Sequence, residues 1–262
     1  MAWTKAKTTI VVGVGILLAA GTTTITIKEV QKNEDDNYPW QTNSLSSELL
    51  EKAPPIVKIV PTKFPNSGAW VRLGDGRILG IGQNVDGLVE AATDMKPSRT
   101  VFLTKLPKEK YDFIASLSSG SEQALQNELE KKFHIAGKLE MLETNVLLLS
   151  IKNPVAGGLK VSTSSTSYSG DNPGHLSFTN QPISSLAEML ENRFRIPVID
   201  QTGVANHYDF DLTWDEYGQK IGNQYPDYPN LKGLKQALFA QFGLELVPTN
   251  MPIEMLVVEK AK

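Results

Sequence analysis

A group of carboxylates in the last third of the chain has the residue types best suited to chemistry. Carboxylates that converge within a few ångström can hold a hard cation such as calcium, and a pair of them can act as general acid and base. The group comprises Asp200, Asp209, Asp211, Asp215 and Glu216. Its spacing departs from the D-x-D-x-D-G pattern of a calcium loop. We therefore predict no metal site and no cofactor. Asp209 and Asp211 would be the candidate ligands if a metal did bind.

The residues around Asp209 and Asp211 alternate between apolar and polar types, as in a strand with one buried face. Tyr208, Phe210 and Leu212 share one face, and the two aspartates share the other. We interpret the aspartates as the solvated side of this strand. The alternative is a hydrolase in which Asp209, Asp211 or Glu216 does acid and base work.

Patterns for nucleophilic catalysis or zinc binding are missing from the sequence. The three histidines, His134, His175 and His207, stand in different predicted elements, and no H-E-x-x-H or G-x-S-x-G motif occurs. The chain has no cysteine, which excludes disulfides and thiolate chemistry. We therefore predict no catalytic residue and regard an enzymatic activity as unsupported.

Aromatic residues concentrated in one loop are the better candidates for binding. Trp214, Tyr217, Tyr225 and Tyr228 lie in a stretch that also contains Pro226 and Pro229. Exposed aromatics on loops are typical of recognition surfaces. The alternative is that these rings pack onto the core.

The elements that position these residues follow a repeated pattern. Tyr111-Asp112-Phe113 in the first half corresponds to Tyr208-Asp209-Phe210 in the second, and each is followed by an amphipathic helix pattern and apolar strands. Each copy reads strand, helix, strand, strand, helix, strand, strand. The predicted fold class is α+β, with an N-terminal transmembrane helix followed by two repeated small βαββαββ units.

The predicted membrane helix occupies residues 8–27, which carry no charge. About 20 helical residues span roughly 30 Å, the thickness of the bilayer core. Lys5 and Lys7 precede the segment without acidic neighbours, which favours a cytoplasmic N-terminus. The alternative is a signal peptide cleaved near Ala19-Ala20-Gly21, which would release a secreted protein.

Five segments follow from these patterns. They are an N-terminal transmembrane anchor (residues 1–28), a polar linker (29–55), a first α+β repeat (56–156), a Ser/Thr/Gly-rich join (157–172) and a second α+β repeat (173–262). The net charge of -3 and pI near 5.7 provide no attraction for phosphate backbones, so we predict no nucleic-acid partner.

Several segments resemble a known bacterial family. They are Leu106-Pro-Lys-Glu-Lys-Tyr-Asp-Phe113, Pro182-Ile-Ser-Ser-Leu-Ala187, Pro197-Val-Ile-Asp-Gln-Thr-Gly203, Tyr208-Asp-Phe-Asp-Leu-Thr-Trp214 and Gln241-Phe-Gly-Leu-Glu-Leu246. Together they resemble an uncharacterised domain-of-unknown-function family of soil acidobacteria and verrucomicrobia, from about Pro55 to the C-terminus. The resemblance implies an exported or membrane-anchored protein, in some members joined to BlaR-type sensors. The chain has no peptidase motif, so that activity is not implied.

One stretch of this sequence reads as a strand, a helix, a short V-I-D strand and an A-L-x-x-x-F-G-L helix. It is also similar to the short N-terminal signalling domain of secretins and TonB-dependent receptors. That similarity implies a small protein-interaction module without catalytic residues. We therefore predict an extracytoplasmic interaction or sensing module without catalysis, anchored in the inner membrane by a single pass. Its predicted partners are the lipid bilayer, through residues 8–27, and an unidentified envelope protein. The alternative function is an envelope hydrolase that uses surface carboxylates.

Overall fold

The structure is a computed structural model that describes residues 38–153, 158–225 and 228–261. These residues form five α-helices: α1 Ser47–Lys52, α2 Val85–Thr93, α3 Ser121–Phe133, α4 Ile183–Phe194 and α5 Leu231–Phe242. They also form twelve strands: β1 Val57–Pro61, β2 Ala69–Arg72, β3 Ile78–Gln83, β4 Thr100–Phe102, β5 Tyr111–Ala115, β6 Ile135–Ile151, β7 Lys160–Val161, β8 Tyr168–Asn172, β9 His175–Pro182, β10 Val198–Asp200, β11 His207–Thr213 and β12 Leu244–Lys260. The strands make three four-stranded sheets.

The chain divides into two compact units. Of the described residues, unit 1 comprises those up to 141 together with those from 254 onward, and unit 2 comprises those between 142 and 253. The chain passes from one unit to the other within β6 and again within β12.

Unit 1 is built on an antiparallel sheet with the strand order β1-β5-β3-β2. Alternate residues of a strand face opposite sides, and both sides of this sheet are apolar. On one side, Ile78 and Phe113 pack with residues of α2 and α3. On the other side, Leu79, Ile81 and Ile114 are covered by Trp40 and Leu50. Residues 38–53 are therefore part of the folded unit.

Unit 2 contains a sheet of the same design, with the strand order β7-β11-β9-β8. Tyr208, Phe210 and Leu212 of β11 are buried against a core to which α4 and α5 contribute. Phe210 stacks on Phe178 with a centroid distance of 4.6 Å. The opposite side of β11 carries the exposed Asp211, as the alternating sequence indicates.

The third sheet has the strand order β10-β6-β12-β4. In unit 1, Thr100–Phe102 of β4 run parallel to residues 256–258 of β12. In unit 2, residues 198–200 of β10 run parallel to residues 147–149 of β6. The elements from β3 to β6 follow the same order as those from β9 to β12. We call residues 78–151 the first series and residues 175–260 the second series. The short parallel strand of each series thus pairs with the final strand of the other.

The predicted fold class is wrong. The structure is a mixed α/β fold with several sheets, in which the series exchange strands rather than forming two separate βαββαββ units. We expected each series to end in two short strands, but β6 and β12 each continue for 17 residues. Hydrogen bonds between these long strands stabilise an extended backbone through the positions where we expected each strand to be interrupted.

The predicted transmembrane helix also finds no support. Within the described part of the chain, no helix combines the length and apolarity needed to cross a bilayer. The predicted segment, residues 8–27, lies outside the described residues.

The Ser/Thr/Gly-rich segment at 157–172 contains more regular structure than its composition predicts. Residues 160–161 form β7, which pairs with β11, and residues 168–172 form β8, which pairs with β9. These strands form because cross-strand hydrogen bonding to β9 and β11 outweighs the low strand propensity of Ser and Gly.

Candidate functional site

Three of the four predicted binding aromatics come together on the surface of unit 2. Tyr217, Tyr225 and Tyr228 are 44%, 42% and 55% exposed. The ring of Tyr217 lies in the middle, with its centroid 5.2 Å from that of Tyr225 and 5.4 Å from that of Tyr228. Lys220 lies over the Tyr225 ring. We call Tyr217, Tyr225 and Tyr228 the tyrosine patch.

The tyrosine patch is carried by a long connection between β11 and α5, residues 214–230, which we call the insertion. The first series makes the equivalent connection, from β5 to α3, with the short segment 116–120. The insertion is closed at its base by Asn230, whose backbone N–H donates to the Glu216 carbonyl at 2.9 Å. Asn230 Nδ2 also donates to the Asp215 carbonyl at 2.8 Å. Hydrogen bonds between the two ends of the insertion therefore close it into a loop.

The insertion also contains hydrogen bonds of its own. The Asp215 carboxylate accepts hydrogen bonds from the N–H groups of Tyr217 and Gly218, which fixes the turn that leads into the patch. Further along, Ile221 and Gln224 form a small antiparallel bridge. The patch is thus displayed on a loop with its own hydrogen bonding.

Trp214 does not join the tyrosine patch. It is partly buried and packs against the core of unit 2. The Arg193 guanidinium lies 5.3 Å from its ring centroid, a cation–π arrangement. The structure therefore separates Trp214, at the base of the insertion, from the three exposed tyrosines.

The carboxylates of Asp200, Asp209, Asp211, Asp215 and Glu216 do not converge on one site. Asp211 is exposed and lies 3.2 Å from His175 Nε2, while Glu216 is buried and accepts from Arg193 Nη1 at 2.6 Å. Asp200 accepts hydrogen bonds from Thr202, two residues away. The described residues contain no group of three or more histidines and carboxylates able to hold a metal ion.

Asp209 stabilises an irregularity in the pairing of β9 with β11. Its Oδ1 accepts a hydrogen bond of 2.8 Å from the backbone N–H of Asn180, a residue with a left-handed φ of 51°. Asn180 lies where the pairing of β9 with β11 shifts register. The carboxylate therefore satisfies a donor that the irregular strand leaves unpaired.

Removing the Ser162 hydroxyl should raise the pKa of Asp209. That hydroxyl and the Asn180 N–H both donate to the Asp209 carboxylate and hold its pKa below the ordinary value. A carboxyl whose pKa is lower in the folded state adds stability above its unfolded pKa, and this contribution is lost as the pH falls through the folded pKa. Carboxyl-carbon NMR titration of Ser162→Ala should therefore give a higher Asp209 pKa than in the parent protein.

Ser164→Ala is the matched control for this titration. The Ser164 hydroxyl bonds to Thr166 instead of Asp209, so this change should leave the Asp209 titration in place. An identical Asp209 pKa in Ser162→Ala and the parent protein would contradict the assignment.

The sequence did not single out Asp112, although it occupies the same motif position as Asp209. Asp112 is 0% exposed, and its Oδ1 accepts from the Gly82 N–H at 2.8 Å. Gly82 has a left-handed φ of 65°, as Asn180 does in the second series. Gln41 Nε2 donates to Asp112 Oδ2 at 2.7 Å. The repeated Tyr-Asp-Phe motif is the signal that could have identified this structural role.

Unit 1 also has an open cleft of about 460 Å³ beside the start of α2. Its lining residues are Asn84, Val85, Asp86, Phe102, Thr104, Leu106, Pro107 and Lys108. Asp86 and Lys108 bring opposite charges to it, so it favours neither anions nor cations by charge alone. No residue of this cleft was among the predicted site residues.

Comparisons with known proteins give one match. No curated protein and no solved structure matches this chain. The family described as "Protein of unknown function (DUF3738)" matches residues 87–261, more than half of the 262 residues. The resemblance to a family of domains of unknown function is thereby confirmed at that level, and the chain belongs to this family.

Proposed function

We propose that this protein is an extracytoplasmic interaction module without catalysis, and that the tyrosine patch binds a protein partner in the cell envelope. One observation carries the proposal: the Tyr217 ring contacts those of Tyr225 and Tyr228, and all three are about half exposed on a hydrogen-bonded insertion. The first series has no such insertion. The insertion is therefore an addition to a shared framework.

The chemistry of the patch suits protein recognition. Tyrosine is enriched among the residues that dominate binding energy, because its large ring loses little conformational entropy when it is covered. Contact of the Tyr217 ring with the other two rings restricts the conformations of the three side chains before a partner binds. A partly preorganised aromatic surface gives up less free energy on binding than a mobile loop does.

An extracytoplasmic location is part of this proposal. Residues 8–27 carry no charge and have the length and apolarity of a membrane or export segment, which supports attachment to the bilayer or secretion after cleavage. The sequence resemblance to exported acidobacterial and verrucomicrobial proteins, some joined to BlaR-type sensors, supports the same location and a sensing role. Protection of the folded region from protease added to spheroplasts would contradict this location.

The hydrolase alternative has no observation in its favour. Asp209 is bonded to the Asn180 N–H, and Glu216 is buried against Arg193. Asp211, the third residue of that alternative, has His175 as its neighbour on an exposed sheet surface. Asp209 and Asp211 share the outer face of β11, but each already has a partner in the protein, and Glu216 is buried away from solvent.

Replacing all three tyrosines of the patch with alanine should abolish partner capture. Each exposed ring is a candidate hot spot, and losing one typically costs about 2 kcal/mol or more, so the triple variant should lower affinity by at least roughly 30-fold. The measurement is quantitative affinity capture of envelope proteins from native membranes, with thermal unfolding measured in parallel. The patch lies outside the buried core, so the unfolding temperature should change little.

Tyr168→Ala provides the matched control. Tyr168 is another exposed tyrosine of unit 2, on β8 and outside the patch. It should retain the partner that the triple variant loses. Equal capture by the triple variant and the parent chain, or equal loss in both variants, would refute the role of the patch.

A further inference from the structure

We infer that Arg193 is the positioning residue that holds the tyrosine patch in place. Its role in binding rests on the proposed function, whereas its role in ordering the insertion does not. Arg193 stands in the last turn of α4, outside the insertion, and its side chain is only 13% exposed.

The guanidinium of Arg193 connects three parts of unit 2. Its Nη1 donates to Glu216 Oε1 at 2.6 Å, which fixes the base of the insertion. Its Nη2 donates to the Asp171 carboxylate and, at 3.3 Å, to the Asn172 carbonyl of β8. The planar group also lies over the Trp214 ring. A single side chain on α4 therefore ties β8 to the start of the insertion.

The partner of Arg193 in the insertion is a buried charge. Glu216 is 2% exposed, and its Oε1 receives the Arg193 hydrogen bond. Its Oε2 is buried without a hydrogen-bond partner. An ionised carboxylate is held out of water at this depth only while its cationic partner is present. Without Arg193, Glu216 loses the hydrogen bond that holds the segment around it against α4.

Movement of Glu216 would act directly on the patch. The next residue is Tyr217, the ring that contacts both Tyr225 and Tyr228. Displacing Tyr217 would separate the other two tyrosines from their shared neighbour. The geometry therefore makes the arrangement of the patch depend on the Arg193–Glu216 pair.

Arg72 in unit 1 makes contacts similar to those of Arg193. Arg72 of β2 lies over the Trp70 ring, pairs with Glu122 of α3 and donates to the Ala91 carbonyl of α2. Both arginines thus join an edge strand to neighbouring elements of their sheet and lie over a tryptophan. Arg72 is consequently a matched control, because its loss removes comparable contacts far from the insertion in sequence.

Amide hydrogen exchange of the full chain tests the ordering role. In Arg193→Met, exchange across residues 215–225 should accelerate by about tenfold or more, while the amides of β11 below the insertion stay protected. Arg72→Met should leave exchange in the insertion unchanged. Unchanged protection of residues 215–225 in folded Arg193→Met would overturn the inference.

A second variant keeps the test decisive if Arg193→Met does not fold. Arg193→Met combined with Glu216→Gln removes the unpaired charge and should fold. The insertion should still exchange faster than in the parent chain, because the hydrogen bonds from Arg193 to residue 216 and to β8 are absent. Parent-like protection of the insertion in this double variant would also overturn the inference.

Affinity capture separates this inference from the proposed function. If both hold, Arg193→Met loses the partner that Arg72→Met retains, as the triple tyrosine variant does. If exchange accelerates but the triple tyrosine variant still captures its partner, Arg193 positions the insertion and the proposed binding role of the patch fails.

Discussion

A chain that begins at residue 87, where the family match begins, should fail to fold unit 1. Such a chain lacks β1, β2 and β3 and begins inside α2. Strand β5 is bonded to β1 on one side and β3 on the other, so it would lose both neighbours. The buried Phe113 and Ile114 would lose their packing partners on both faces of the sheet. We expect the part of the thermal unfolding transition that unit 1 contributes to be missing from the circular dichroism of this chain.

The control is a chain that begins at residue 38. It retains every described element, including the residues that cover the second face of the unit 1 sheet. It should unfold cooperatively under the same conditions. An unfolding transition of the same amplitude per residue in the chain that begins at residue 87 would show that the first strands are dispensable. The expected result instead places the boundary of the folded region well before that of the family match.

Replacing Asp112 with alanine should lower the free energy of unfolding by about 4 kcal/mol. The carboxylate is fully buried and accepts from the Gly82 N–H and from Gln41 Nε2. Each buried donor left without an acceptor costs about 1–3 kcal/mol. The loss of Gln41 as a partner also loosens the segment that carries Trp40, which adds to the effect. Chemical denaturation of the purified variant measures the change.

Asp209→Ala is the matched control, because Asp209 occupies the same motif position in the second series. Its carboxylate accepts from the Asn180 N–H, but it is only half-buried, so water can replace it. The destabilisation should therefore be much smaller than for Asp112→Ala. Equal effects of the two substitutions would contradict the importance we assign to burial and to Gln41.

The comparison of these two aspartates shows how far sequence reasoning reaches. Both stand in a Tyr-Asp-Phe motif, and the alternating pattern correctly places Tyr208 and Phe210 inside and Asp211 outside. No local pattern distinguishes the buried Asp112 from the half-buried Asp209. The difference arises because residues 38–53 cover the sheet in unit 1 and bring Gln41 to Asp112.

The aromatic residues show the same division. Their positions in a proline-containing loop indicate a connection, and the structure confirms that they lie between β11 and α5. The sequence alone does not distinguish Trp214, which packs on the core, from the three tyrosines that lie exposed together. Trp214 instead lies beneath Arg193, a residue of α4 that is distant in sequence.

The sequence by itself determined the local features: the alternation of β11, the helical spacing of α3 and α5, the repeated order of elements, and the absence of cysteine chemistry. Side-chain periodicity and composition are properties of neighbouring residues, so they can be read from the chain. Only the tertiary structure decided that β4 pairs with β12 and β10 with β6, and that Glu216 is buried against Arg193. Strand exchange and charge burial depend on contacts between residues far apart in sequence, whose free energies no local pattern contains.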